Sequence, residues 1–166
     1  MLTISLRYDA AMTHHAPPEV LTSRLGYLLK HAYLRLTEES SLALAPYGID
    51  GRELAVLVVL DAHDELSQLD VAGKLGIDRT TMVALVDALQ DKELVERRRS
   101  PQDRRKNIVQ LTTAGQKRLQ NAESARQEME RRFLAPLSSA DAARLVRSLQ
   151  SLVGAPLGTD RTPGST

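Results

Sequence analysis

Between Lys92 and Lys106 lie seven basic residues (Lys92, Arg97, Arg98, Arg99, Arg104, Arg105, Lys106) and three acidic ones (Glu93, Glu96, Asp103). The stretch carries a charge of +4 in a chain whose total is +1, so the remainder carries −3. A local surplus of this kind in a nearly neutral protein suits the grip of phosphates, although solvated loops also carry charge runs. Just upstream, Thr80, Thr81, Val83 and Ala84 offer hydroxyls and methyls on one helical segment. These are the groups that approach base edges and thymine methyls in a major groove. An ordinary surface helix fits the same pattern.

Chemistry of other kinds finds little support. The chain has no cysteine, which excludes disulfides, cysteine zinc sites and thiol nucleophiles. Gly73-Lys74 echoes a phosphate loop, but Gln68 stands where its first glycine belongs and Leu75 where Ser or Thr should follow. There is no His-Glu-x-x-His, no Gly-x-Ser-x-Gly and no carboxylate cluster at helical spacing. The adjacent His14 and His15 lie in a stretch without helical period, and His31 and His63 have no regular ligand spacing. The expectation is a protein that is no enzyme and carries no metal or cofactor.

The basic stretch needs a mount, and the residues from Ser67 to Leu111 provide one. Ser67, with Asp70 three positions on, opens a short helix that Gly76 ends. Ile77 and Asp78 leave room only for a tight turn, after which Asp78 caps a second helix and Ile77 can staple onto Met82. At about 100° per residue, Met82, Leu85, Val86 and Leu89 form one stripe. Thr80, Val83, Ala84 and Asp87 fall opposite, flanked by Arg79 and Thr81. Leu94–Arg98 and Asn107–Leu111 then read as strands joined by Arg99–Lys106, in which Ser100-Pro101-Gln102-Asp103 fits a type I turn.

These residues carry a resemblance. Leu75-Gly76-Ile77-Asp78-Arg79-Thr80-Thr81, Leu85-Val86-Asp87-Ala88-Leu89, Leu94-Val95-Glu96-Arg97, Asp103-Arg104-Arg105 and Leu111-Thr112-Thr113-Ala114-Gly115 resemble the winged helix-turn-helix of the multiple antibiotic resistance regulator (MarR) family. The motif-specific part is Ser67–Leu119, and length and helix order extend the likeness to nearly the whole chain. The resemblance implies a homodimeric bacterial repressor or activator with a recognition helix in the major groove and a wing arginine in the minor groove. By position, Asp103 would orient Arg105. Ala84 departs from the usual base-reading residue, so no specific hydrogen bond is expected there. The expected DNA-binding set is Ser67, Gln68, Arg79, Thr80, Thr81, Val83 and Ala84 on the helices, with Arg98, Arg99, Asp103, Arg104, Arg105 and Lys106 on the wing. The resemblance also implies a small aromatic or phenolic effector between dimer helices and winged lobe, where Arg24, Tyr27, His31 and Tyr47 would border the pocket.

The expected fold is mainly α with a small antiparallel β-wing: a winged helix-turn-helix lobe plus a helical dimerisation lobe. Residues 1–18 read as a flexible arm in which Met12 is an alternative start. From Glu19 to Leu44 the apolar Leu21, Leu25, Leu28, Leu29, Ala32 and Leu36 recur at helical intervals, giving a dimerisation helix over 19–45. The lobe at 46–112 starts after Pro46-Tyr47-Gly48. Asp50 and Glu53 open a helix running through Leu54–Leu60, and Leu66 is placed to add a short third strand. Residues 113–153 read as two further dimerisation helices, separated at Pro136, with Leu119, Ala122, Ala125, Met129 and Phe133 on one stripe and Leu145, Val146, Leu149 and Leu152 on the other. The segment 154–166 reads as a disordered tail. The first and the last two helices cannot all bury their stripes on one small lobe, which points to a homodimer. Its two recognition helices would meet a palindromic operator in double-stranded DNA. Leu54–Leu60 is too short an apolar run to cross a bilayer, and the first residues lack a secretory layout, so no membrane partner and a cytoplasmic, nucleoid-associated location are expected. The rival reading is a winged-helix protein-interaction module without specific DNA binding.

Overall fold

The computed structural model describes residues 19–100 and 107–154. The expected arm (1–18), the wing tip with Asp103, Arg104, Arg105 and Lys106, and the tail from residue 155 onward lie outside the described residues. The chain divides into two compact units, residues 1–38 and 39–166.

In the first unit, α1 (Glu19–Thr22) is followed by the start of α2 (Leu25–Leu44). One continuous helix was expected here, and the break at Ser23-Arg24 corrects it. Ser23 Oγ reaches back to the Val20 carbonyl at 3.5 Å, the local bond by which a serine competes with helical backbone pairing. Leu25, Leu28, Leu29, Tyr33 and Leu34 are all exposed.

The second unit is the winged lobe. A 3₁₀ turn, Ala45–Tyr47, ends at Gly48, whose φ of 64° is the left-handed backbone that glycine adopts without Cβ strain. α3 (Gly51–Asp61) begins with the expected capping box: Asp50 accepts from the backbone of Arg52 and Glu53, and Glu53 accepts from the Asp50 N–H at 2.9 Å. α4 (Gln68–Leu75) is capped by Ser67 and Asp70 in the same reciprocal way and closes on left-handed Gly76. α5 (Arg79–Asp91) follows its Asp78 cap. β1 (Val95–Arg99) pairs antiparallel with β2 (Asn107–Leu111) in a two-stranded sheet, and Leu66, where a short third strand was expected, makes a single isolated bridge to Val109. β1 starts one residue later than the sequence pattern placed it.

Leu44, Val56, Leu57, Val71, Met82, Val86, Leu89, Leu94 and Val95 are each no more than 2% exposed and form the centre of one core. α6 (Thr113–Leu134) closes it with Leu119 and Ala122. Its first turn sits so tightly on the chain entering β1 that a Cβ on Gly115 would lie 2.0 Å from the Leu94 carbonyl oxygen. Glycine is the residue that fits. α7 (Ser139–Gly154) starts from Ser138, whose hydroxyl accepts the Asp141 N–H, and it buries no residue. It takes in Gly154, which the sequence reading assigned to the tail. Among the described residues no helix is long and apolar enough to cross a membrane.

Candidate nucleic-acid interface

α5 presents two unlike faces. Met82, Val86 and Leu89 are buried in the core, while Arg79, Thr80, Val83, Ala84 and Asp87 are exposed, as the spacing requires. The helix is held at both ends. At its start Asp78 accepts the Thr81 N–H at 2.9 Å and the Thr81 hydroxyl at 2.6 Å. The Thr81 hydroxyl, led by its own hydrogen bond, holds the Asp78 carboxyl below its ordinary range. Thr81 was expected to face DNA; it is half-buried and its hydroxyl serves the cap, because that oxygen lies one helical turn from the Asp78 carboxylate.

At its far end α5 is tied to α3. Lys92, the C-cap, contacts Glu53 at 2.6 Å, and the Glu53 side chain is only 7% exposed. The other Glu53 oxygen holds the Asp50 N–H, so one carboxylate serves a helix start and a helix end together. Beyond Lys92, Glu93 takes a left-handed φ of 59°, and Leu94 N–H returns to the Leu89 carbonyl at 2.9 Å. That is the geometry in which glycine is favoured.

Ser67, Gln68, Leu69, Arg79, Met82, Val83 and Asn107 line a cleft of about 260 Å³ between the starts of α4 and α5. Ser67 and Gln68 are thus beside Arg79 and Val83 of α5. Their polar atoms are largely engaged: the Ser67 hydroxyl bonds Asp70 at 2.6 Å, and the Gln68 carbonyl oxygen accepts from Arg97. Leu69, 70% exposed, and Asn107 were missed by the sequence reading. Leu69 stands at the second helical position, where an unpartnered leucine on a polar turn was the available signal.

On the wing, Arg98 and Arg99 are exposed. Arg98 pairs with Glu96 at 2.8 Å, and Gln110 donates to the same carboxylate at 2.9 Å. Gln110 first, then Arg98, hold Glu96 below the usual carboxylate range. The basic count of the stretch therefore overstates its free charge, since Lys92 is paired with Glu53, Arg97 with Asp87 and Arg98 with Glu96.

The four residues expected at an effector pocket divide between the units. In the first, Arg24 and His31 are exposed and Tyr27 is half-buried; the Tyr27 and His31 rings meet at 4.1 Å between centroids and a 38° tilt, one helical turn apart. In the second, Tyr47 is half-buried and its carbonyl accepts from the Arg118 guanidinium.

Residues 47–106 match the sequence pattern of the MarR family. The same fold recurs, at TM-score 0.76 and 34% identity over 81% of this chain and 96% of the other, in the transcriptional repressor CouR bound to a 23-mer DNA duplex. The chain belongs to the MarR family. CouR from Rhodococcus jostii RHA1 bound to p-coumaroyl-CoA is similar at TM-score 0.72 and 26% identity, covering 86% of this chain and all of that one. An uncharacterized HTH-type transcriptional regulator of Bacillus subtilis strain 168, YdgJ, is 31% identical over 99 residues, 60% of this chain. The match spans 60% of that relative's length. Membership in a family of transcriptional regulators agrees with the expectation of a binding protein rather than an enzyme.

Proposed function

We propose that this MarR-family chain is a sequence-specific double-stranded DNA-binding regulator, acting as a ligand-responsive repressor that binds a palindromic operator as a homodimer. The observation that carries the reading is the division of α5. A helix fixed by Asp78 and Lys92 buries its large side chains and turns Thr80, Val83 and Ala84 outward beside a basic wing. Small side chains let a helix sit deep in the major groove, and methyls there meet thymine methyls. The duplex in the similar CouR structure supports the same reading.

The homodimer is supported by α7, where Leu145, Val146, Leu149 and Leu152 are 38–64% exposed on one stripe. The effector is supported by the Tyr27–His31 ring pair with Arg24 on the first unit, a set suited to an aromatic acid, and by the aromatic acyl-CoA bound to the similar CouR. For the wing, the proposed roles are Arg105 in the minor groove, oriented by Asp103, with Arg98, Arg99, Arg104 and Lys106 on phosphates.

Selection of bound sequences from random duplexes tests this reading: a symmetric consensus with half-sites about one DNA turn apart is expected. Binding of the selected duplex must weaken steeply with salt, whereas a protein-interaction module, whose contacts release no counterions, would show little salt dependence. Arg105→Ala is expected to weaken binding and to lower the salt slope by about one unit. An unchanged titration would remove the wing from the interface.

A further inference from the structure

We propose that Arg97 is a positioning residue: its guanidinium locks the wing to both helices of the helix-turn-helix, and so fixes the distance at which wing and recognition helix meet DNA. This rests on the reading of α5 as the groove-reading helix. Side chains alternate along a strand, and the register pairs Arg97 with Val109 and Val95 with Leu111. Arg97 therefore shares its face with Val95 and Val109, both 2% exposed, and its own side chain is half-buried, 28% exposed against 61% for Arg98.

All three of its nitrogens are occupied. Nε donates to Gln68 Oε1 at 3.3 Å, Nη1 to Gln90 Oε1 at 2.5 Å, and Nη2 forms an ion pair with Asp87. Gln68 is the first residue of α4, while Asp87 and Gln90 lie on the last turns of α5. One rigid planar fork thus spans three elements, which a lysine ammonium on a flexible stem cannot reproduce in three fixed directions.

Gln68 strengthens the assignment. Its amide nitrogen is buried and has no hydrogen-bond partner among the described residues. Turning the amide over would set its NH₂ against the Arg97 Nε–H, so the arginine dictates the orientation despite the orphaned donor. With its charge met by Asp87 and its directions filled, Arg97 is not disposed to take a phosphate. Its part in DNA binding is to hold the wing base and the outer face of α5 at one spacing, since neither can shift without breaking the fork.

A positioning residue and a phosphate contact leave different signatures. The full chain bearing Arg97→Met, Arg97→Lys or Asp87→Asn is titrated across a salt series with the duplex recovered by selection and with a scrambled duplex, alongside thermal unfolding. Arg97→Met is expected to weaken the selected duplex about tenfold or more and the scrambled duplex less than about threefold, with the salt slope unchanged. Arg97→Lys, which keeps the charge but not the fork, does not restore the ratio. Asp87→Asn removes a carboxylate beside DNA, which alone would strengthen both duplexes, so a fall in the selected-to-scrambled ratio marks the fork. Asp87 is 55% exposed, and this variant decides the matter if Arg97→Met does not fold.

Equal weakening of both duplexes, a slope lower by about one and rescue by lysine would make Arg97 a phosphate contact and overturn the proposal. Unchanged discrimination in all three variants would also overturn it. If the wild-type chain discriminates and the variants keep that discrimination, only this proposal fails. If the wild-type chain does not discriminate, the functional reading fails and takes this one with it.

Discussion

Met82, Val86 and Leu89 on α5 are each no more than 1% exposed, whereas Leu145, Leu149 and Leu152 on α7 are 40%, 38% and 64% exposed. Both sets are apolar stripes at helical spacing, and nothing in their residue types separates them. What differs is the surroundings. Around α5, helices α3 and α4 and strand β1 converge, and each helix start in the lobe has a local fastener: Asp50 with Glu53, Ser67 with Asp70, Asp78, and Thr112. α7 has a similar start at Ser138 but, among the described residues, buries none of its own. Full burial of a leucine or valine contributes about 1.5–3 kcal/mol, so four residues left 38–64% exposed each forgo roughly half of that, an incentive to pair with a second copy. The winged lobe thus buries its stripes within one chain, while α7 leaves its stripe exposed, the feature on which the proposed homodimer rests.

The largest test of that contrast is Gly115→Ala. Its new methyl would strike backbone, and the Leu94 carbonyl cannot swing aside, because it also accepts the Thr112 N–H at 3.1 Å. A loss of about 3 kcal/mol or more in denaturant unfolding is expected. Wild-type stability would mean that the lobe is less closed than its burial indicates. Next in size, Leu145→Glu with Leu149→Glu should convert the protein to a single subunit by sedimentation while the lobe retains its far-ultraviolet signature. A lobe that unfolds with them would show that it is not self-sufficient.

Smaller effects sharpen the picture of the lobe's fasteners. Glu93→Gly relieves a left-handed residue at the end of α5 and should stabilise by about 1 kcal/mol, read as a higher denaturant midpoint at unchanged slope. The smallest concerns Asp78. Its carboxyl is held below the ordinary 3.8, so the cap contributes fully above that value and is lost as pH falls through the lower folded one. The stability gap between wild type and Asp78→Ala should therefore be constant near neutrality and close on acidification below about pH 4. A gap that persists in acid would place the cap's strength in the carboxyl's neutral hydrogen bonds rather than in its charge.

Much of the reading unit was legible because its signals are local. A cap, a left-handed glycine and a 3.6-residue stripe each act within one or two turns, so Ser67, Gly76, Asp78 and the face Met82–Val86–Leu89 could be placed from the residues alone. The break at Ser23 escaped because the apolar period of 19–44 continues through it, and periodicity reports which side is buried rather than whether backbone pairing is continuous. The bond of the Thr81 hydroxyl to Asp78 escaped for a related reason: the angle put Thr81 on a flank, and periodicity does not report which acceptor a side chain finds.

Charge was the least legible quantity. Counted along the chain, Lys92, Arg97 and Arg98 all swell a basic wing; in space, Glu53, Asp87 and Glu96 answer them. Partners 39 and 10 positions away are invisible to a window that sums neighbours. The sequence by itself determined the helices, their caps, the ribbon and the face that turns outward, since short-range backbone and burial preferences set these. Only the tertiary structure decided which cations remain outward and which brace the fold, because a charged side chain takes whatever counter-charge the packed chain brings within reach.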